Sequence, residues 1–176
     1  RMFLRTGNTF PFELDPGNSL DSYEVFDVAT QTFAGTSSTG APFQMHLKRA
    51  FPMAQRMFDH SILIAGGGPW PSTEASYRKA DLWAPYVNDN EGGLLTLTAN
   101  RPEMVSVHNG GAMVKLEDTS EGLTRVLVVG GTTDATSVVE LFTQSSGQAA
   151  GASGSFRAYP FPGLPSLFFP SVTPLS

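Results

Sequence analysis

Three histidines, His46, His60 and His108, are the side chains of this sequence best suited to move a proton or hold a metal ion. No two of them stand at the short spacing with which neighbouring ligands grip one ion. There is no cysteine, which excludes disulfides and thiolate metal sites within the chain. The histidines therefore read as turn or loop residues, and neither a metal site nor a cofactor is expected. Glu117, Asp118 and Glu121 read as an exposed acidic turn rather than paired catalytic carboxylates, and no Ser/His/Asp arrangement follows from residue order. Gly66-Gly-Gly68 has the look of a phosphate loop, but neither a following helix nor a Lys-Ser/Thr pair completes it. No catalytic residue is assigned. Candidate binding residues are Arg49, Arg101 and His108, polar groups placed shortly before strands, with solvated loop residues as the alternative reading. Trp70, with Trp83 and Tyr86, offers a surface on which a sugar ring could stack. Trp83 reads better as core, because its position matches those of Phe26 and Phe142.

The elements that must carry these residues are short strands. The chain has 176 residues with 18 Gly, 13 Pro and only 15% charged residues, a balance that suits strands and turns and interrupts helices. No long stretch has apolar residues at helical spacing, so an all-β fold is expected. Apolar runs reach only about five residues, against the ~20 of a helical membrane span. A net charge of −5 without a basic cluster argues against a nucleic-acid surface.

The strands repeat. Arg125-Val-Leu-Val-Val-Gly-Gly131 reads as a buried strand ending where the backbone needs positive φ or a close neighbour. A second copy is Ile62-Leu-Ile-Ala-Gly-Gly67, and Met2 to Gly7 is a degenerate third. Gly66, Gly67, Gly130 and Gly131 are thus structural repeat glycines. Pro52–Met57, Gly111–Leu116 and Pro170–Leu175 align without gaps, with starts 59 residues apart in both intervals. Each Gly-Gly strand is followed by an acid–aliphatic–aromatic pattern, Asp81-Leu-Trp83 and Glu140-Leu-Phe142, which Glu24-Val-Phe26 shares. The resulting units cover residues 1–42, 43–100 and 101–159, and 160–176 opens a further one. Within them, turns are expected at Ala29–Gln31 and Asp59–His60. Fourth strands are expected from Thr32, over Leu94–Thr98 and over Phe156–Tyr159.

These patterns resemble kelch repeats, in particular the long units of the galactose oxidase and glyoxal oxidase family. The resemblance rests on Val126–Gly131 with Ser137–Phe142, on Ile62–Gly67 with Ala80–Trp83, and on Tyr23–Phe33. It implies a β-propeller of four-stranded antiparallel blades, present here as an incomplete arc of about three, where closed propellers have 4–8. The chain is accordingly expected to be part of a longer polypeptide or of a multi-chain assembly that completes the ring. The family's copper-radical chemistry, built on a Tyr–Cys cross-link, cannot arise from a chain without cysteine. The resemblance sets Arg49, Arg101 and His108 near one mouth of the propeller channel and favours an extracellular setting. The expected function is a non-enzymatic scaffold for protein–protein interaction or assembly. A fragment of a copper-radical oxidase and a carbohydrate-binding propeller are the alternatives.

Overall fold

The computed structural model describes residues 4–5, 20–35, 40, 42–68, 75–84, 93–94, 101–116, 123–131, 138–145, 154–160 and 171–173. They form thirteen strands in four antiparallel sheets and one short 3-10 turn, Ala75–Arg78, with no α-helix among the described residues. One sheet is a meander of β6 (Met53–Arg56), β7 (Ile62–Ala65), β8 (Asp81–Ala84) and β9 (Gly93–Leu94). A second is a meander of β10 (Ala112–Lys115), β11 (Leu123–Val129), β12 (Val138–Ser145) and β13 (Ser155–Pro160). A third joins β1 (Leu4–Arg5), β3 (Glu24–Asp27) and β4 (Thr32–Ala34) in that order. The fourth pairs β2 (Leu20–Ser22) with β5 (Gln44–Arg49). The all-β expectation holds, because a chain of β-branched and aromatic runs broken by Gly and Pro has no face with which to build a helix.

Register decides which residues meet. In the β6–β9 sheet, Ile62 stands opposite Trp83 and Leu63 opposite Leu82. Because side chains alternate across a strand, Ile62, Ile64 and Trp83 share one face while Leu63, Ala65 and Leu82 share the other. Both faces are buried. Ile62, Ile64 and Trp83 pack with Tyr23, Val25, Phe43 and Met45 from the first part of the chain. Leu63, Ala65 and Leu82 pack with Val126, Val128 and Phe142 of the β10–β13 sheet, and with Met53, Met57 and Met104. The β6–β9 sheet is thus sandwiched, which explains why its central strand is apolar at every position instead of alternating. Trp83 and Phe142, expected between successive units, lie between successive sheets. Phe142 also meets Phe156 in a tilted ring pair with centroids 4.9 Å apart.

The Gly-Gly pairs end β7 and β11, and Gly66, Gly67, Gly130 and Gly131 all have positive φ, between 66° and 72°. The turns at Asp27–Thr32 and Met57–Ser61 are also where the sequence predicts them. In the first, the Ala29 N–H donates to Asp27 Oδ1 at 2.9 Å. In the second, the Ser61 N–H donates to Asp59 Oδ1 at 3.0 Å. The aspartate closes each turn through its own side chain.

The structure departs from expectation in two places. The β2–β5 pair is absent from the repeat reading, which has residues near Phe43 only as the opening of the second unit. It forms because the connector folds back: Tyr23 N–H donates to the Phe43 carbonyl and Phe43 N–H to the Gly35 carbonyl, at 3.1 and 3.0 Å. The connector at 101–107 behaves alike, with Ala80 N–H on the Pro102 carbonyl and Met104 N–H on the Arg78 carbonyl, both at 2.8 Å. The second departure is Ser171–Thr173, expected within a first strand, which has no strand pairing. Pro170 and Pro174 flank it and remove two backbone donors from any ladder. Residues 95–100, most of the expected Leu94–Thr98 strand, and the acidic turn at 117–122 lie outside the described residues.

Phe51 has φ of 52°, where the corresponding residue of the next unit, Gly110, has φ of 68°. A bulky side chain in the left-handed region is strained, whereas glycine is not. Phe51→Gly is therefore expected to leave stability within about 1 kcal/mol of the parent, since strain relief offsets the added unfolded-state entropy. A urea-unfolding midpoint checks this. A larger loss would show that contacts of the Phe51 ring outweigh the backbone term.

Candidate functional site

Each Gly-Gly turn is held by a buried cationic or imidazole side chain from the segment leading into the first strand of its sheet. Arg49 closes β5, four residues before β6, and its Nη1 donates to the Gly66 carbonyl at 2.7 Å. Its Nη2 donates to the Lys79 carbonyl at 2.5 Å and reaches Asp81 Oδ2 at 3.4 Å. His108 lies four residues before β10, with Nδ1 2.6 Å from the Gly130 carbonyl and Nε2 2.9 Å from Glu140 Oε1. Arg49 and His108 occupy equivalent positions 59 residues apart, and so do Asp81 and Glu140. The same three parts, a buried basic side chain, a Gly-Gly turn carbonyl and a third-strand carboxylate, are thus assembled twice.

Both networks are dry. Arg49, His108 and Glu140 are 0% exposed and Asp81 is 1% exposed. Burial pulls the Arg49 guanidinium below the ordinary arginine value, and the Asp81 carboxylate opposes that pull by charge and hydrogen bond. The positive charge of Arg101 adds to the lowering, so Arg101 is close enough to Arg49 to be felt. Asp81 is shared: His46 Nδ1 lies 2.7 Å from its Oδ1, and the His46 side chain keeps 28% exposure. Glu140 is more heavily committed. Besides His108 it accepts the backbone N–H groups of Val105 and Ser106, both at 2.8 Å. Carbonyls and carboxylates thus absorb the donors that burial strips from water.

These bonds lock neighbouring parts of the chain together. The segment leading to His108 meets Arg78 and Ala80 on the β6–β9 side, with an Arg78–Glu103 ion pair of 2.9 Å at its exposed edge. On the other side its backbone is tied to Glu140 of β12. The Gly67 N–H donates to the His108 carbonyl at 2.9 Å, joining the turn of one sheet to the lead-in of the next.

Of the candidate binding residues, Arg49 and His108 are buried and bound to the chain itself. Arg101 is half-buried, its charge felt at Arg49. Trp70 and Tyr86 lie outside the described residues. His60 sits in the β6–β7 turn, where it accepts a hydrogen bond from Arg56. Among the described residues no group of three or more His, Cys, Asp or Glu side chains gathers as a metal site. What the arrangement can do chemically is hold protons and charge in fixed places: the His46–Asp81 pair orients an imidazole, and the other contacts brace turns.

Asp81 and Glu140 are the residues that sequence reasoning passed over, and a signal for them existed. In Asp81-Leu-Trp83 and Glu140-Leu-Phe142 the acid stands two residues before the aromatic, so both point to the same buried face. An acid on a core face requires a buried partner.

The geometry allows a specific expectation for Arg49. Its guanidinium reaches three acceptors on two elements, whereas a lysine ammonium is a single compact centre. Arg49→Lys should therefore lower stability by about 2 kcal/mol or more despite keeping the charge. The loss should shrink when Asp81→Asn removes the buried carboxylate in the same chain, a double-mutant cycle read by denaturant unfolding. Independent, additive effects would show that the pair is not coupled. Compared with known proteins, the chain matches no family model and no curated protein sequence.

Proposed function

We propose that this chain is a segment of a kelch-like β-propeller that acts as a non-enzymatic scaffold, engaged in protein–protein assembly. The observation that carries this reading is the commitment of Arg49 and His108. These are polar side chains that the family resemblance would offer to a ligand at the channel mouth. Both are wholly buried, and all their polar nitrogens except the Arg49 Nε are engaged with Gly66, Lys79, Asp81, Gly130 and Glu140. Groups so engaged brace the backbone and are not open to substrate. Several large apolar side chains are instead exposed: Val28, Phe33, Phe58 and Val105 are each more than half exposed. Surfaces of that kind suit protein contact.

The face-to-face sheets, each a sequential meander with its Gly-Gly turn beside the connector to its own first strand, favour propeller blades over two closed sandwich layers. In a propeller, blades bury their faces on both neighbours. Loading the protein with copper tests the functional reading against the oxidase alternative. The expected result is no stoichiometric copper after gel filtration and no hydrogen peroxide released from primary alcohols or aldehydes. One tightly held equivalent of copper, with peroxide production, overturns the scaffold reading.

A further inference from the structure

The two sheets at the ends of the stack present opposite halves of one interface. At each internal contact, the third-strand aromatic of one sheet packs on the apolar face of its neighbour, a mixed aromatic face for Trp83 and an aliphatic one for Phe142. Trp83 packs against Tyr23 and Val25. Phe142 packs against Leu63, Ala65 and Leu82. The register extends this pattern outward. Phe26 corresponds to Trp83 and Phe142, and lies across from Phe33 with ring centroids 4.8 Å apart. By strand alternation both point away from the face that carries Val25, and Phe33 is 56% exposed. At the other end, Leu127 stands opposite Leu141 and Ala112 opposite Val129. These residues correspond to Leu63, Leu82 and Ala65. Their counterparts inside the stack are at most 1% exposed, whereas Leu127, Val129 and Leu141 are only partly buried.

One end therefore carries an aromatic knob, Phe26 with Phe33, and the other an aliphatic bed whose counterpart, Leu63 with Ala65 and Leu82, accepts Phe142 within the chain. We propose that a second copy of this chain docks head to tail, its Phe26–Phe33 face on the Leu127–Val129–Leu141 face of the first. The inference rests on the propeller reading and names the partner in it. The contact is heterologous, so one copy offers the knob and the other the bed. It closes when two copies meet at both ends, giving six stacked sheets beside the two β2–β5 pairs, within the 4–8 blades of closed propellers.

The test is sedimentation of the 176-residue chain beside two variants, Phe33→Asp at the knob and Leu141→Arg at the bed, with thermal melts to show that each remains folded. The expected result is twice the chain mass for the parent and the single-chain mass for each variant alone. Mixing the two variants restores one intact knob-and-bed contact, so a 1:1 complex should return, held more weakly than the parent pair. A parent that stays monomeric overturns the inference, as does a pattern in which only one variant falls apart, which indicates symmetric pairing. Fluorescence of Trp83 in a Trp70→Phe chain separates the two levels. A buried-indole emission from a monomer overturns the second-copy inference alone, whereas a water-exposed emission also removes the stacked sheets on which the propeller reading depends.

Discussion

Glu140→Ala is expected to produce the largest loss of stability of any single polar substitution in this chain, about 3–5 kcal/mol. The carboxylate is wholly buried and accepts from the Val105 and Ser106 backbone and from His108. Alanine leaves the buried Ser106 N–H, the part-buried Val105 N–H and an imidazole nitrogen without acceptors, and each unsatisfied buried group costs about 1–3 kcal/mol. It also opens a void beside Val128, which stands opposite Glu140 in the ladder. Glu140→Gln separates charge from shape, because the amide can still accept one bond while it offers an N–H to a site full of donors. Guanidinium unfolding should therefore order the three proteins parent, Gln, Ala. A Glu140→Ala protein with an unfolding midpoint close to the parent's would show that the lead-in to β10 is not held by this side chain. Such a loss approaches the whole net stability of a typical domain, so the alanine variant is also expected to express poorly.

Gly66→Ala is the second large effect. Its φ of 66° lies in the left-handed region, and an added Cβ would fall well inside contact distance of the His108 carbonyl oxygen. Gly40 is the natural control, with φ of 80° and nothing within 4 Å of an added Cβ. Gly40→Ala should cost only the conformational part, about 1 kcal/mol. Gly66→Ala should add the displacement of the His108 backbone and loosening of the Gly67–His108 hydrogen bond, taking the loss to about 3 kcal/mol or more. Equal losses at the two glycines would mean that the approach of the next segment is not what requires glycine at 66. Because the closest clash is with backbone, and only the further one with the mobile Met53 side chain, repacking of rotamers cannot relieve all of it.

The sequence by itself determined the periodic parts of this protein. Alternation and apolar runs placed β7 and β11, the acid–aliphatic–aromatic patterns placed β8, β12 and β3, and Gly-Gly marked the turns with positive φ. Each of these follows from forces acting within a few residues: steric limits on φ, the two-residue period of a strand, and the closing of a turn by Asp27 or Asp59. The 59-residue offset carried further than a strand, since it also relates Arg49 to His108 and Asp81 to Glu140. What it could not convey was where those four side chains point. Arg49 and His108 read as solvated or ligand-facing because a cation in a loop ordinarily prefers water. Only the tertiary structure decided otherwise, by bringing a carbonyl from the Gly-Gly turn and a carboxylate from the third strand to within hydrogen-bonding distance of each, across 17 to 32 residues of chain. That convergence supplies at once the partners that make burial of the charge tolerable. The β2–β5 pair escaped notice for the same reason: it joins residues more than 20 positions apart, and its strands carry no pattern that names their partner.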